Sequence, residues 1–575
     1  MKRSFAAAVF LIFLAAPGRA ANKFAPDLTL TNLHSAIDVI VQFTTAPTER
    51  HHNKIRSRGG ELRHDLSGVI NGAHYTIPAH RLAELSEDPE VAYISPDRPV
   101  HAMLDYANPT VNANIARRYG WDGTGVGIAL IDSGLEGRPD LNHLSSSASR
   151  IVYSASFLPQ TLSYYTETND TYGHGTHVAG ILAGNGAMST CSRCTRSFIG
   201  IAPNANIINL RVLDTNGNGT DSSVISAINA AVSLAKTYNI RVINLSLGRP
   251  AYESYIQDPL CQAVENAWKS GIVVVVAAGN SGRDNSFSNN GYGTIMAPAN
   301  DPYAITVGAM KDMRTISRSD DLIASYSSKG PTLGDHIVKP DIVAPGNRII
   351  SLIRAGSTIY TSSSANTNEI PNSYYIKNAP GESTMYYELS GTSMAAPMVS
   401  GAAALMLQQN HALTPDQVKA RLMKTATKTF PSFSTATDPV TGVSYTSQYD
   451  IFTIGAGYLD VWAALNDTDL APPQAGSALS PTAVYDPASG DVYVNGALEA
   501  VWDSNAVWAI DAVWGPAVSV TALKKNVIWG SSSSVWDASQ TQAFATLWGL
   551  DYSVVWGDST SVAAESLSEL IHGEN

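Results

Sequence analysis

Between residues 103 and 465 the chain alternates two kinds of pattern. Short runs of consecutive apolar, largely β-branched residues occupy 126–131, 207–212, 242–245, 272–277, 304–307 and 342–343. Runs of this length without polar alternation read as strands covered on both faces, as in a parallel sheet. Between several of them lie stretches of helical character, at 222–237 and 259–269. Strand, loop and helix in repetition predict an α/β domain, a mostly parallel sheet with helices on both faces. Ligands of such sheets bind beyond the carboxyl ends of the strands. Chemistry is therefore expected just after the runs.

The flanks read differently. Residues 37–43 alternate as a strand, 51–58 read as a helix, 68–77 as extended chain, 79–86 as a second helix and 91–94 as a last short strand. Two helices interleaved with strands predict a small α+β domain over 21–102. The stretch 471–481 is rich in Pro, Gly and Ser and marks a linker, taken as 469–500. Beyond it seven of the ten tryptophans fall between 502 and 556. Most stand in a unit of aliphatic residue, Trp, then Gly or Asp, as in Val501-Trp502-Asp503, Val513-Trp514-Gly515, Ile528-Trp529-Gly530 and Val555-Trp556-Gly557. Their irregular spacing fits no repeat family of fixed period. Short β-strands burying Trp against one another are expected over 501–575. Attachment to a surface or a carbohydrate, and removal on maturation, stand as alternatives.

A length of 575 residues exceeds what one hydrophobic core holds. With 44% apolar and 15% charged residues the chain is globular, not disordered. The net charge of -12 and the lack of a basic cluster interleaved with aromatics exclude nucleic acid as a partner. Lys2-Arg3, an apolar run over 5–16 and the small residues of Gly18-Arg19-Ala20 predict a secretory signal peptide over 1–20. That run is too short to span a bilayer, and no later segment is long and apolar enough. A secreted or cell-surface protein with no membrane span after signal removal is expected. The three cysteines, Cys191, Cys194 and Cys261, are too few to staple the chain. A local 191–194 disulfide, a bond from either to Cys261, and free thiols all remain open. Zinc would need further ligands nearby, and none is there.

Four segments carry reactive side chains where the sheet pattern expects them. In Ile128-Ala129-Leu130-Ile131-Asp132-Ser133-Gly134 an acid ends a buried strand. In Gly173-His174-Gly175-Thr176-His177-Val178-Ala179-Gly180 an imidazole stands between glycines that permit close backbone approach. His174 and His177 could pair as metal ligands, but the Glu of the zinc-protease helix motif is missing, so no metal is assigned. In Ser390-Gly391-Thr392-Ser393-Met394-Ala395-Ala396-Pro397 a serine stands at the start of a helix-prone run. There its own N–H and the helix dipole face a developing oxyanion. In Ala278-Gly279-Asn280-Ser281-Gly282 an amide side chain stands beyond a strand end. Taken alone, Asp132 more often reads as a strand-end turn and Ser393 as a cap, while Asn280 is as often a turn former.

Together, in the order Asp, His, Asn, Ser, they resemble the signatures of the subtilases over about 103–468, and 21–102 resembles that family's inhibitory propeptide. The resemblance implies a subtilisin-like α/β fold and a secreted serine endopeptidase, made as a precursor that processes itself near 101–105. It implies Asp132, His174 and Ser393 as the triad and Asn280 as oxyanion donor. It implies protein or peptide substrates, with the propeptide as intramolecular inhibitor. Ser246, Leu247 and Gly248 resemble the edge that pairs with an extended peptide. Ala277, Ala278 and Gly279 line the same cleft, and Met296 aligns with the floor of the pocket for the side chain preceding the cut bond. No carboxylate marks that floor, so an apolar or broad preference is expected. No cofactor is required for the chemistry. Structural calcium remains possible, since Asp140 resembles one calcium ligand, although the loop 184–197 departs from the usual calcium loop.

The chain departs from a compact subtilisin in two polar insertions, 145–171 and 351–389, either covering the cleft or forming surface loops. Two rival readings are an esterase and an inactive subtilase fold used for adhesion. The first lacks the last Gly of the Gly-x-Ser-x-Gly elbow, where Ala395 stands. The intact triad residues argue against the second.

Overall fold

The structure, a computed structural model, describes residues 23–25, 28, 35–96 and 106–495, apart from 69, 144–145, 287, 363–367, 487 and 489–490. Beyond 495 it describes only 519–520, 526–529, 547–548, 562–563 and 567–574. The expected signal segment, the expected cut near 101–105 and most of the Trp repeat lie outside the described residues.

The chain divides into two compact units, 1–101 and 102–575. In the first, β1 (Ala36–Phe43), β2 (Glu61–Asp65), β3 (Gly72–Pro78) and β4 (Val91–Pro96) form an antiparallel sheet in the order β2-β3-β1-β4. Helices Glu49–Arg56 and Leu82–Ser86 complete it. Val39, Val41, Tyr75, Ile77, Leu82, Leu85 and Ile94 fill its core. The strand β2 was not foreseen. Its sequence, Glu-Leu-Arg-His-Asp, faces solvent along nearly its whole length, so burial left no alternation to read.

The second unit is built on β5 (Gly127–Asp132), β6 (Ile151–Ser156), β7 (Asn206–Arg211), β8 (Asn218–Gly219), β9 (Ile240–Leu245), β10 (Val273–Ala277), β11 (Ile305–Lys311), β12 (Leu322–Ile323) and β13 (Ile342–Pro345). All but β8 join one sheet, ordered β12-β11-β10-β9-β5-β7-β6, with β13 on β11. Every pairing is parallel except that of β12. The fold is α/β, as the alternating pattern predicts. Val273-Val274-Val275-Val276 is buried throughout because helices cover the sheet on both faces. Asp221–Tyr238 and Pro259–Lys269 pack together on one side, His174–Ala183 and Thr392–Gln409 on the other.

The insertions are not mere loops. Part of the first forms β6, a half-buried edge strand. The second builds a small sheet of β14 (Ile349–Leu352), β15 (Glu369–Pro371) and β16 (Glu382–Leu389), whose last strand runs directly into Ser390. Cys191 and Cys194 form the local disulfide, while Cys261 is free, buried and donates to Asn300 Oδ1 at 3.3 Å. Burial pushes its thiol well above the ordinary range. In the Trp-rich region Leu547 enters a side core with Tyr292, Leu333 and Phe452, and Trp548 stacks on His336 at 4.6 Å. Among the described residues no helix is long and apolar enough to cross a membrane.

Candidate active site

Three neighbouring strands deliver the site. β5 ends on Asp132, β9 runs into Ser246, and β10 runs into Ala278-Gly279-Asn280. Ile131 stands opposite Leu245, so Asp132 and Ser246 occupy adjacent strand ends about 4.8 Å apart.

Asp132 is 1% exposed, and its Oδ1 accepts from the Ser133 amide at 2.7 Å and from His174 Nδ1 at 2.7 Å. A carboxylate at Nδ1 fixes the proton there and leaves Nε2 as the basic nitrogen. His174 heads the helix His174–Ala183. A Cβ at Gly175 would lie 2.3 Å from the Gly134 carbonyl and 3.2 Å from Asp132 Oδ1, so only glycine lets this helix start approach the acid.

The sequence reading missed Asp170. Its carboxylate accepts from Ser133 Oγ at 2.8 Å, from the Gly173 amide at 2.6 Å and from the Thr176 amide at 2.7 Å. Ser133 Oγ accepts in turn from the Gly175 amide at 2.9 Å. Asp170 thus ties the turn after Asp132 to the orphan amides of the His174 helix. Burial lifts its carboxyl above the ordinary range against the pull of those donors. The visible signal was an Asp four residues before His174 at a helix start.

Ser393 is the second residue of the helix Thr392–Gln409. Its Oγ donates to the Ser246 carbonyl at 3.1 Å, and its own carbonyl accepts from Ser246 Oγ at 2.9 Å. The second contact follows from Pro397. A helical carbonyl is normally taken by the N–H four residues on, and proline has none. Ser246 takes that place, so its side chain serves the nucleophile's turn and does not point to a ligand.

Asn280 is 8% exposed. Its Oδ1 accepts from the Thr392 amide at 3.0 Å and the Thr392 hydroxyl at 3.1 Å, while its buried Nδ2 has no hydrogen-bond partner among the described residues. The amide group is thus anchored on Thr392, the residue before Ser393. Of the remaining expected cleft residues, Leu247, Ala277, Ala278 and Gly279 are buried. Met296 lies between the two glycines: a Cβ on Gly279 would meet its Cγ at 2.7 Å, and one on Gly248 would meet its Cβ at 3.3 Å. The two missing side chains let Met296 pack directly against the backbone of both segments.

His177 stays apart from this chemistry. Fully buried, its Nε2 reaches the Ile349 and Tyr387 carbonyls at 3.1 Å each, and burial pulls its pKa down to about 3. Among the described residues no group of three or more His, Cys, Asp or Glu side chains could hold a metal.

The calcium expectation at Asp140 meets a different arrangement. Its Oδ1 accepts from Tyr386 at 2.6 Å and its Oδ2 from the Met188 amide at 3.0 Å. Backbone carbonyls do converge beside it, but on a buried guanidinium. Arg150 donates to Asn142 at 2.9 Å, Ala205 at 2.8 Å, Asp140 at 2.9 Å and Ala183 at 2.5 Å. A positive charge already fills the carbonyl cage, so these residues do not fit a cation.

Comparison with known proteins gives the family. Residues 123–444 match the subtilase family model. Serine protease AprX of Bacillus subtilis (strain 168) is 39% identical over 388 residues, covering 65% of this chain and 76% of that protein. Subtilisin E of the same organism is 33% identical over 383 residues, covering 66% and 81%. Subtilisin DY of Bacillus licheniformis is 34% identical over 330 residues, covering 57% and 94%.

Proposed function

The chain belongs to the subtilase family and is a serine endopeptidase, and from that premise we propose that Ser393 is its nucleophile, His174 its general base and Asp132 the group that orients the imidazole. One observation carries the reading: the 2.7 Å bond between Asp132 and His174 stands at a strand end next to the one that holds Ser393.

In the proposed reaction Ser393 Oγ leaves its bond to the Ser246 carbonyl and attacks the scissile carbonyl carbon of a peptide. His174 Nε2 takes the hydroxyl proton, while Asp132 stabilises the imidazolium through Nδ1–H. The oxyanion receives Asn280 Nδ2 and the Ser393 amide, the latter at a helix N-terminus where the dipole favours negative charge. The imidazolium then protonates the departing amine. Water, deprotonated by the same nitrogen, releases the acyl group and restores Ser393. The buried Nδ2 of Asn280 is a donor held ready for charge that appears only during reaction.

Gly248, Gly279 and Met296 are proposed to line the site for the side chain preceding the cut bond, with an apolar or broad preference. Secretion is proposed from the basic, apolar and small-residue pattern of residues 1–20. Self-processing is proposed from the likeness of the first unit to an inhibitory propeptide. Labelling with a fluorophosphonate probe tests the central claim. Covalent labelling of the wild type that disappears in Ser393→Ala is expected, and labelling that survives removes Ser393 from its role. In the same variant, made without other proteases, the uncut precursor should accumulate.

A further inference from the structure

After residue 560 the chain meets the rest of the second unit at two described places that the reaction does not use. Val562–Ala563 pairs antiparallel with β8, Val562 opposite Gly219 and Ala563 opposite Asn218. This is the only sheet to which β8 belongs among the described residues. β8 lies toward the imidazole. A Cβ on Gly217, just before it, would stand 2.6 Å from the Tyr172 ring, and that ring is 6.4 Å from the ring of His174. Addition of a strand to a free edge through backbone bonds is a general way of capturing extended peptides.

Seven residues later the same segment is held beside the nucleophile. The Ser390 amide, three residues before Ser393, donates to the Leu570 carbonyl at 3.0 Å. Gly573 packs so tightly that a Cβ would stand 2.2 Å from Ser390 Oγ, at a backbone φ of +53°. The Glu574 amide donates to Asn347 Oδ1 at 2.8 Å, and its carbonyl accepts from Asn347 Nδ2 at 2.8 Å. The Glu574 side chain enters a charged pocket. It is 1% exposed and meets Arg283 Nη2 at 2.7 Å, Lys311 Nζ at 3.2 Å and the Ser325 amide at 2.9 Å, with Ser325 Oγ a further donor. Arg283 follows Asn280 by three residues. Arg283 Nη1 also meets Asp438 Oδ2 at 3.3 Å, and with Lys311 beside it the pocket still favours a second, buried carboxylate, the place Glu574 takes.

We infer that β8 and the pocket of Arg283, Lys311 and Ser325 are two ends of one peptide-binding track that brackets His174 and Ser393, and that residues 562–574 are its intramolecular ligand, in competition with substrate. Ala563 and Leu570 are seven residues apart, and because the helix Leu567–His572 already takes up the last of them the reach between the two anchors is at most about 19 Å. The ligand class is a peptide that lends its backbone to β8 and a carboxylate side chain to the pocket. The inference rests on the serine-peptidase reading of Ser393 and His174.

The test uses the full chain, with intact mass showing that residue 575 is retained, as wild type, Glu574→Gln, Glu574→Ala and Gly573→Val. A tethered competitor raises apparent KM and leaves kcat alone. Each variant should therefore lower KM for a fluorogenic peptide by about fivefold or more, because less of the enzyme is withheld from substrate. A synthetic peptide of residues 562–574 should inhibit Glu574→Ala competitively. The same peptide with Gln at the position of Glu574 should inhibit about tenfold more weakly. Fluorophosphonate labelling of Ser393 separates the two readings. Loss of labelling in the wild type sinks the catalytic assignment, whereas normal labelling with wild-type KM in the variants overturns the tethered ligand. Failure of the peptide to inhibit at about 1 mM also overturns it.

Discussion

Asn280 meets Thr392 through one oxygen that accepts twice, from the amide at 3.0 Å and from the hydroxyl at 3.1 Å. Both bonds fix which way the amide group is turned, so its nitrogen faces away from Thr392 with no partner of its own among the described residues. Asn280→Ala should lower kcat about 10²–10³-fold, the loss typical of removing this donor from an enzyme of the family, with little change in KM. Thr392→Val keeps the backbone bond and loses the hydroxyl, so a smaller fall in kcat is expected. Steady-state kinetics on one peptide measures both, and an unchanged rate in Asn280→Ala removes the residue from the oxyanion site.

Ser246 tests whether the nucleophile's turn is held from outside its helix. Ser246→Ala removes the 2.9 Å donor to the Ser393 carbonyl, at a position where Pro397 has no N–H to offer. An unsatisfied buried carbonyl costs about 1–3 kcal/mol. A lower melting temperature together with a fall in kcat exceeding any rise in KM is expected. Kinetics and stability both at the wild-type level would show that the contact is idle.

The pH dependence of stability should carry the mark of His177. The folded state holds this imidazole neutral to about pH 3, whereas an unfolded chain protonates it near 6.5. A depressed folded-state value means that the contribution is complete above about 6.5 and is lost as the pH falls toward 3. Denaturant unfolding of Ser393→Ala, which avoids autolysis, should show stability falling across that window. Adding His177→Gln, which keeps a donor for the Ile349 and Tyr387 carbonyls, should flatten the slope. Equal slopes would assign the acid sensitivity to other groups.

Arg150 leads to an expectation about metal removal. Its guanidinium donates to four carbonyls, and burial pulls its pKa down to about 10. Chelation with EDTA should leave the melting temperature of the Ser393→Ala protein unchanged, whereas Arg150→Met should lower it strongly by orphaning those acceptors. A marked fall in melting temperature on chelation would overturn the expectation.

What could be read from sequence followed burial. Val273–Ala277 announced itself because both faces of β10 are covered, and the glycines around His174 did so because the approach to Asp132 excludes side chains. The strands β2 and β6 escaped because each is an edge with exposed or half-exposed positions, leaving no apolar run. Residues 351–389 looked like a polar insertion, yet Tyr386, Tyr387 and Leu389 are wholly buried in β16. Their packing depends on partners far along the chain, which local spacing does not reveal. Asp170 offered only its place before a helix start: in Thr168-Asn169-Asp170-Thr171 it reads as loop, and its role exists only once Ser133 has been brought beside it.

Proline at position 397 has a consequence for when hydrolytic power arises. The peptide group of Ser393 is steadied across a separation of 147 residues, by a hydroxyl on another strand end. A partly assembled molecule, with the helix Thr392–Gln409 formed but not yet seated on the sheet, lacks that support. Bond cleavage therefore belongs to the finished architecture, and a nascent polypeptide is spared its own blade.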